Sequence, residues 1–516
     1  MLQRNLRSVL PFAFVVASAR PAVPQQPLRG FDDYVVRALK DWRVPGLAIA
    51  LVKDDSVVLL KGYGVRVLGQ PDPVTAHTRF GVMSTTKAFT TMLLAMLADS
   101  GKLAWDDPAT RYLPELALKD PWVTREVLLR DLITHRVGFP DPGYLWYGEP
   151  LDLAELIHRL RWVPAASSMR SQFAYNNVAY ALAGEIAARA AGGKTTWQAL
   201  LRSRIYEPLG MSESYPDERE LRASGVTDVT APHGIINDSV RRLPITSALV
   251  DPIAPAGAMF SSATDMAKWL RFLLDSGQVG GRRLVSQRNF QQLFTPQQVV
   301  PPREFYPTAR LTRPHFQAYG LGWFLEDYRG EFVAFHTGSI DGRSALVGLL
   351  PDRRLGVAIF TNLDHSELRH ALMYTVFDRY LGAEPGGRHD WSAEMRSLYQ
   401  ALRDSALTRR RAREAARVTG THPTLPLEQY AGVYVDSLYG VVRLQLESSK
   451  LTLRRGEQTG ELEHWQYDVF RLTWRQPLNE PDYLSFTLDA DGTVGELAIL
   501  DSPLRFRRSR APAPEH

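Results

Sequence analysis

A serine and a lysine one helical turn apart are the first residues of this sequence that could do chemistry. Ser84 opens an apolar segment that continues to residue 97, and Lys87 follows it in the motif Ser-Thr-Thr-Lys. If this segment is a helix, the two side chains share a face and the amine can reach the hydroxyl. Burial would favour an uncharged, basic amine, which could activate the serine as a nucleophile. A helix-capping serine followed by a solvent-directed lysine would give the same pattern, so the motif alone barely discriminates.

A second motif, Tyr175-Asn176-Asn177, precedes a helical pattern that continues towards residue 191. We expect a tyrosine hydroxyl beside a cationic lysine to have a lowered pKa, so that it can shuttle a proton. The Asn177 side chain can both donate to and accept from a substrate amide. In isolation, the tripeptide is more typical of a helix cap with a packed aromatic ring.

The third motif, His336-Thr337-Gly338-Ser339, stands at the end of a strand-like run at 332–335. A glycine on an edge strand allows a ligand to approach the backbone closely. The N–H of Ser339 could donate to an oxyanion. In isolation, this motif is equally consistent with a strand that ends in a turn.

The elements that must position these motifs follow from hydrophobic periodicity. A helix over 31–42 precedes strand-like runs at 47–52 and 57–60, and the stretch from 105 to 276 is mostly helical. Further strands and a last helix are predicted at 322–325, 332–336, 345–350, 356–360 and 366–381. Strands on both sides of a helical region indicate one sheet built from distant segments. We therefore expect an α/β (α+β) fold, a mixed antiparallel sheet flanked by helices with an all-helical subdomain.

The remainder of the chain is predicted to hold a linker and a second, smaller unit. Residues 383–424 contain Arg409, Arg410, Arg411 and Arg413 on a helical stretch with few large apolar residues, which is typical of a solvated inter-domain linker. Residues 425–508 alternate short β-rich stretches with turns, which predicts a small C-terminal β-barrel.

The first residues resemble a bacterial secretory signal peptide. Residues 1–19 carry Arg4 and Arg7, an apolar stretch and then Ala17-Ser18-Ala19, and residues 20–30 follow as a linker. The alternatives are a frayed apolar N-terminus and a short membrane-surface anchor, because Pro11 interrupts a brief apolar stretch. The mature chain has no run of the roughly 20 apolar residues that a membrane span needs, so we expect a periplasmic or secreted protein.

Composition excludes several classes of protein. The net charge of +5 is a small excess of 61 basic over 56 acidic residues, so nucleic acid is not an expected partner. The absence of cysteine excludes disulfides, thiolate metal sites and a cysteine nucleophile. The chain lacks a His-Glu-x-x-His motif, a Gly-x-Ser-x-Gly elbow and a complete dinucleotide loop, so no metal and no cofactor are expected.

Taken together, the three motifs carry a specific family resemblance. Ser-x-x-Lys, Tyr-x-Asn and [Lys/His]-Thr-Gly occur in this order, with about ninety and then about one hundred and sixty residues between them. This arrangement resembles the penicillin-recognising serine hydrolases, most closely the class C β-lactamase and family VIII carboxylesterase branch. The similarity covers about residues 30–382 and predicts a hydrolase domain at 31–382. The unit at 425–508 is similar to the lipocalin-like barrel of some relatives.

The resemblance implies a role for each motif residue. Ser84 would be the acylated nucleophile and Lys87 its general base, with Tyr175 relaying the proton to the leaving group. Asn177 would orient Lys87 and the substrate amide, and the N–H groups of Ser84 and Ser339 would form the oxyanion hole. His336 departs from the usual lysine; being only partly charged near neutral pH, it should be a weaker anchor for a substrate carboxylate.

We therefore expect a serine hydrolase of small esters or amides: a carboxylesterase, a D-amino-acid peptidase or a weak β-lactamase. The alternative is a catalytically silent penicillin-binding-like protein that holds cell-wall fragments or partners. The C-terminal barrel is expected to act either as a lid over the cleft or as a contact in a homo-oligomer, because small barrels expose edges that need covering.

Overall fold

The computed structural model describes residues 27–149, 151–244, 251–382 and 389–510. The predicted signal peptide at 1–19 and most of the linker at 20–30 lie outside these ranges, as does the start of the linker at 383–424. Across the described ranges, none of the helices has the length and apolar composition that a membrane crossing requires.

A large antiparallel sheet organises the N-terminal unit, residues 31–382. Its strand order is β2-β1-β8-β7-β6-β5-β4-β3, so strands from both ends of the unit lie side by side where β1 pairs with β8. The strands are β1 (Gly46–Lys53), β2 (Ser56–Gly64), β3 (Gln298–Val299), β4 (Gln317–Tyr319), β5 (Phe324–Tyr328), β6 (Glu331–Ile340), β7 (Arg343–Leu350) and β8 (Leu355–Thr361). Short strand pairs join Phe80–Gly81 to Phe260–Ser261, His233–Ile236 to Ser239–Arg242 and Gln278–Val279 to Arg282–Arg283.

Helices cover both faces of this sheet. The long ones are α1 (Phe31–Trp42), α2 (Thr86–Asp99), α3 (Asn177–Ala190), α4 (Ala263–Leu274) and α5 (Leu368–Leu381). Shorter helices are Pro121–Glu126, Leu129–Ile133, Gly143–Trp146, Leu153–Arg159, Trp197–Leu201, Glu207–Leu209, Glu218–Ala223, Ala254–Gly257, Gln287–Leu293 and Ala309–Thr312. Apolar residues of α1 and α5 pack on one face, and those of α2, α3 and α4 pack on the other.

Helix α2 is central because its residues are apolar almost all round. Every residue from Thr86 to Leu97 is buried, which is the expected environment for a helix without a polar face. The predicted mixed sheet with flanking helices is confirmed, and the observed bounds differ from the predicted ones by a few residues in most elements.

The C-terminal strands form a closed antiparallel barrel. They are β9 (Gly432–Asp436), β10 (Gly440–Glu447), β11 (Lys450–Arg455), β12 (Gln458–Gln466), β13 (Val469–Trp474), β14 (Asp482–Leu488), β15 (Val494–Ile499) and β16 (Arg505–Arg508). β16 pairs with β9, for example Arg508 with Tyr434, which closes the ring. Aromatic rings such as Tyr430, Phe470 and Phe486 fill the interior, so the barrel has a packed core.

The predicted linker between the two units contains a long helix, α6 (Trp391–Ala415). Its start packs on the N-terminal unit through the buried side chains of Trp391 and Met395, while residues 403–415 are exposed. The arginine-rich segment lies on this exposed part, in agreement with the expected solvated face, and Arg413 forms an ion pair with Asp501 of the barrel.

Candidate active site

Ser84 lies in a tight turn just before α2. Residues Met83–Thr85 form one 3-10 turn, and Met83 has a φ of 46°, in the left-handed region that residues with a Cβ rarely adopt. The residues immediately before and after Ser84 are buried, whereas Ser84 itself is partly exposed. The turn therefore presents a single hydroxyl to the solvent from an otherwise buried segment.

Lys87 is buried beneath this hydroxyl. Its Nζ donates to Ser84 Oγ at 3.2 Å, to Asn177 Oδ1 at 2.7 Å and to the backbone carbonyl of Ala256 at 3.0 Å. Burial lowers the pKa of Lys87 to about 7, while the nearby Asp141 carboxylate acts in the opposite direction. A large fraction of the amine is therefore neutral near neutral pH, as the sequence predicts.

Tyr175 completes a hydrogen-bonded group around Ser84. The Lys87 Nζ atom is 4.7 Å from the centroid of the Tyr175 ring, and the Tyr175 hydroxyl bonds to Ser84. Burial raises the pKa of Tyr175 well above its usual value, although the hydrogen bond from Ser84 opposes this. The expected lowering of this pKa is therefore wrong, because desolvation of the phenolate outweighs the influence of an amine that is itself partly neutral. The Tyr175 phenol stays protonated and can serve as a proton donor.

Asn177, the first residue of α3, is held from both sides. Its Oδ1 accepts from Lys87, and its Nδ2 donates to Asp141 Oδ2 at 2.7 Å. Asp141 is partly buried, and its other oxygen accepts from Trp146 Nε1 at 3.2 Å. Burial raises the pKa of Asp141, against these hydrogen bonds and the Lys87 charge. Sequence analysis missed Asp141, since the stretch Pro-Asp-Pro-Gly is typical of an ordinary turn.

His336 is buried behind the same group. Its Nδ1 is 2.7 Å from the Thr337 carbonyl, which can only accept, so Nδ1 carries the proton. Nε2 therefore accepts from the Tyr319 hydroxyl at 3.0 Å. Burial lowers the pKa of His336 to about 3, with a further contribution from Lys87. The expected partial charge near neutral pH is thus wrong: His336 is neutral, and both of its ring nitrogens have partners.

The motif His336-Thr337-Gly338-Ser339 lies inside β6 and not at a strand end. β6 continues to Ile340 by pairing with β7, whereas β5 pairs with it only as far as Phe335. Beyond Phe335, the edge of β6 that faces away from β7 has no partner strand within the described ranges. A strand edge of this kind leaves backbone groups available for a ligand.

Gly338 allows β6 to lie directly on the Ser84 turn. A Cβ at this position would be 2.5 Å from the Ser84 backbone nitrogen and 2.8 Å from the Val82 carbonyl oxygen. These are backbone atoms of the turn, which cannot swing aside as a flexible side chain could. The close approach places Gly338 directly against the backbone N–H of Ser84.

The side chains of Thr337 and Ser339 point to the opposite face of β6 and fix the strand. Thr337 Oγ1 is 2.5 Å from the Tyr306 hydroxyl. The buried Arg369 of α5 donates to the Gly338 carbonyl at 2.5 Å and to Ser339 Oγ at 2.6 Å. Arg369 has no motif context in the sequence, so no signal there indicates its role in holding the strand.

The mouth of the cleft is bridged by Tyr147. Its hydroxyl donates to Asp341 Oδ1 at 2.6 Å, and Gln476 of the barrel also bonds to it. The barrel reaches the same loop elsewhere, since Glu457 N donates to the Gly148 carbonyl at 2.9 Å and Arg455 pairs with Glu149 at 3.1 Å. Within one chain, the barrel therefore contacts the loop that follows Asp141.

The structure thus brings Ser84, Lys87, Tyr175 and Asn177 together and places Gly338 against them. Such a group suits nucleophilic catalysis, with a hydroxyl at the surface, a weakly basic amine beneath it and a protonated phenol beside it. Sequence analysis missed two residues that support this arrangement. Asp141 bonds to Asn177, and Arg369 bonds to Gly338 and Ser339.

Comparison with known proteins gives a family match for each of the two units. The family model described as Beta-lactamase matches residues 31–378, and the Domain of unknown function (DUF3471) matches residues 416–509. The unguisins hydrolase ungD of Aspergillus violaceofuscus is 29% identical over 460 residues, which cover 82% of this chain and 77% of the relative. The protein flp of Staphylococcus aureus is 22% identical over 341 residues, which cover 64% of this chain and 62% of the relative.

A solved structure gives the same fold. The octameric penicillin-binding protein homologue from Pyrococcus abyssi superposes with a TM-score of 0.61 at 20% identity, over 93% of this chain and 99% of that one. Its similarity extends over both the large sheet and the barrel. With a family model that matches residues 31–378, about two thirds of its length, the chain belongs to the β-lactamase family of serine hydrolases.

Proposed function

We propose that this chain hydrolyses esters or amides through an acyl-enzyme on Ser84. The observation that carries the proposal is the contact of a buried lysine of lowered pKa with a partly exposed serine hydroxyl. The proposed acylation transfers the Ser84 proton to neutral Lys87 while Ser84 Oγ bonds to the substrate carbonyl carbon. The N–H groups of Ser84 and Ser339 bind the resulting oxyanion.

Tyr175 then protonates the leaving group. Its raised pKa keeps the phenol in the donor form, and its hydrogen bond to Ser84 places it beside the bond that breaks. Lys87 returns a proton to Tyr175, either directly or through solvent. In the second half of the reaction, a water molecule replaces the leaving group, loses its proton to the same pair and releases the acid together with free Ser84.

The substrate class follows from the charge of the strand wall. His336 is neutral and fully bonded, so the position that usually carries a lysine offers no cation to a substrate carboxylate. We therefore propose neutral esters and amides as substrates ahead of β-lactams and peptides with a free carboxyl terminus. Within this proposal, the favoured activity is that of a carboxylesterase, and the alternatives are a D-amino-acid peptidase and a weak β-lactamase.

Covalent labelling tests the acyl-enzyme. Incubation with a fluorophosphonate should add one phosphonyl group at Ser84, with loss of fluoride, and abolish turnover of p-nitrophenyl butyrate. The Ser84→Ala variant should show neither adduct nor turnover. Replacement of the exposed Ser203 by alanine is the matched control and should behave like the unmodified protein. An equal adduct in Ser84→Ala, or no adduct at all, would favour the catalytically silent binding protein.

The proposal has two further parts, the role of the barrel and the export of the protein. The contact of Gln476 with Tyr147 supports a barrel that shapes the rim of the cleft, and self-association through the barrel is the alternative. Sedimentation of the full chain, together with esterase rates for Gln476→Ala, separates the two roles. Residues 1–19 support export to the periplasm or medium, which N-terminal sequencing of the protein from a bacterial host would test.

A further inference from the structure

Asp141 is an acidic residue of the cleft whose carboxylate has no cation bonded to it. Both of its oxygens are occupied, by Asn177 Nδ2 at 2.7 Å and by Trp146 Nε1 at 3.2 Å. Within the part of the chain that the structure describes, Asp141 forms no ion pair. The nearest positive charge is Lys87, which lies on the other side of the Asn177 amide.

The carboxylate determines which way the Asn177 amide points. Because a carboxylate only accepts hydrogen bonds, it must face the NH₂ group of Asn177, which turns the carbonyl oxygen Oδ1 towards Lys87 Nζ. With the amide reversed, two donors would face each other at Lys87. The hydrogen-bonded series Asp141, Asn177, Lys87, Ser84 is therefore directional and leaves the lysine with an acceptor for its proton.

The same carboxylate is the charged group that acts on Lys87. The other groups that face this amine are the rings of Tyr175 and Tyr180 and the imidazoles of His135 and His336. Burial raises the pKa of both tyrosines and lowers the pKa of both histidines, so all four are neutral near pH 7. When Lys87 becomes an ammonium in this buried position, Asp141 supplies the compensating charge.

We propose that Asp141 is a positioning residue of this site, which fixes the Asn177 amide and stabilises the Lys87 ammonium formed when Ser84 gives up its proton. The inference rests on the proposed acyl-enzyme function. In the step concerned, the Ser84 O–H bond breaks and a new N–H bond forms on Lys87, while Asp141 neither gives nor takes a proton. Asp141 does not touch the substrate carbonyl and acts only through Asn177 and Lys87.

The charge is tested by Asp141→Asn, which keeps a hydrogen-bond acceptor for Asn177. Removing the carboxylate should lower the pKa of Lys87, so the acid limb of kcat/KM for p-nitrophenyl butyrate should move to lower pH by roughly one unit. The plateau rate should fall about tenfold or more, because the ammonium in the transition state loses its counter-charge. The matched control is Asp152→Asn, an exposed helix cap where asparagine is an equally good cap.

A swapped variant guards against poor folding. Asp141→Asn combined with Asn177→Asp keeps the hydrogen bond between the two side chains and moves the negative charge into contact with Lys87. Its acid limb should lie at higher pH than that of the unmodified protein. If the apparent pKa of the acid limb in both variants equals that of the Asp152→Asn control within experimental error, the inference is overturned, whatever the change in rate.

The same experiment separates this inference from the proposed function. Fluorophosphonate labelling of Ser84 in the unmodified protein establishes the acyl-enzyme independently of Asp141. If labelling occurs and the limbs do not move, only the role of Asp141 fails. If labelling is absent, the proposed function itself fails.

Discussion

The two walls of the cleft use their polar groups in opposite ways. The helical wall directs the side chains of Ser84, Lys87 and Asn177 towards one another at the surface, with separations of 2.7 to 3.2 Å along the series. The strand wall bonds its polar side chains to other parts of the fold: His336 bonds to Tyr319, and Ser339 bonds to Arg369. The difference shows that one wall supplies reactive side chains, whereas the other supplies backbone geometry.

Loss of the amine should break the helical wall and have the largest effect. Lys87→Met keeps the length of the side chain but removes the base, so kcat/KM for p-nitrophenyl butyrate should fall by about 10³-fold or more. Steady-state kinetics on protein with an unchanged circular dichroism spectrum measures this. Lys102→Met, at an exposed position, should leave the rate unaltered. A loss of less than tenfold in Lys87→Met would contradict the assigned base.

A methyl group on the strand wall should have the next largest effect. In Gly338→Ala the new Cβ would meet the Ser84 backbone nitrogen at 2.5 Å, so strand and turn must separate and the oxyanion geometry is lost. We expect a fall in kcat of about 10²-fold, measured with the same ester. Gly143→Ala is the matched control, since its Cβ would meet no atom within 4 Å. Equal rates in both variants would show that the close approach is unimportant.

The pH dependence compares the two buried bases directly. Since burial lowers the pKa of Lys87 to about 7 and its neutral form is the base, kcat/KM should rise with pH and level off above that value. Below it, the rate should fall about tenfold per unit. His336, with a pKa of about 3, should contribute no limb in the neutral range. The profile of the unmodified protein, recorded from pH 5 to 9, tests this; a rate that falls with increasing pH through 7 would reverse the assignment.

Restoring a cation to the strand wall should have the smallest effect. His336→Lys would introduce a cation able to attract a substrate carboxylate, so the ratio of nitrocefin to p-nitrophenyl butyrate turnover should rise by about tenfold. His336→Gln, which adds no charge, provides the comparison. A ratio that is unchanged, or that changes equally in both variants, would show that charge at this position does not set specificity.

Elements with a strong local pattern could be predicted from the sequence. The helix at Phe31–Trp42 has the expected bounds because its apolar residues recur at helical spacing, and α2 is buried because it has no polar face. The strand Gln458–Gln466 could not be delimited from the sequence, because its many polar residues form a weak strand pattern; pairing with both neighbours holds it in the barrel. Thr337 to Ile340 continue β6 beyond its predicted end because they pair with β7.

The site could be predicted only where it forms a motif. Ser84, Lys87, Tyr175 and Asn177 lie together as expected, because their spacing repeats that of a known family. Asp141 and Arg369 could not be found, since their roles depend on contacts between distant segments. The directions of the Tyr175 and His336 pKa shifts also required the structure, because burial, which determines both, is a property of the fold.

The turn between β9 and β10 links the stabilities of the two units. Leu438 of the barrel is 5% exposed and belongs to the hydrophobic cluster of the N-terminal unit. Full burial of a leucine contributes about 1.5 to 3 kcal/mol, and here that free energy is available only while both units are folded. Heating should therefore melt the two units in one calorimetric transition, and Leu438→Ala should begin to divide it into two.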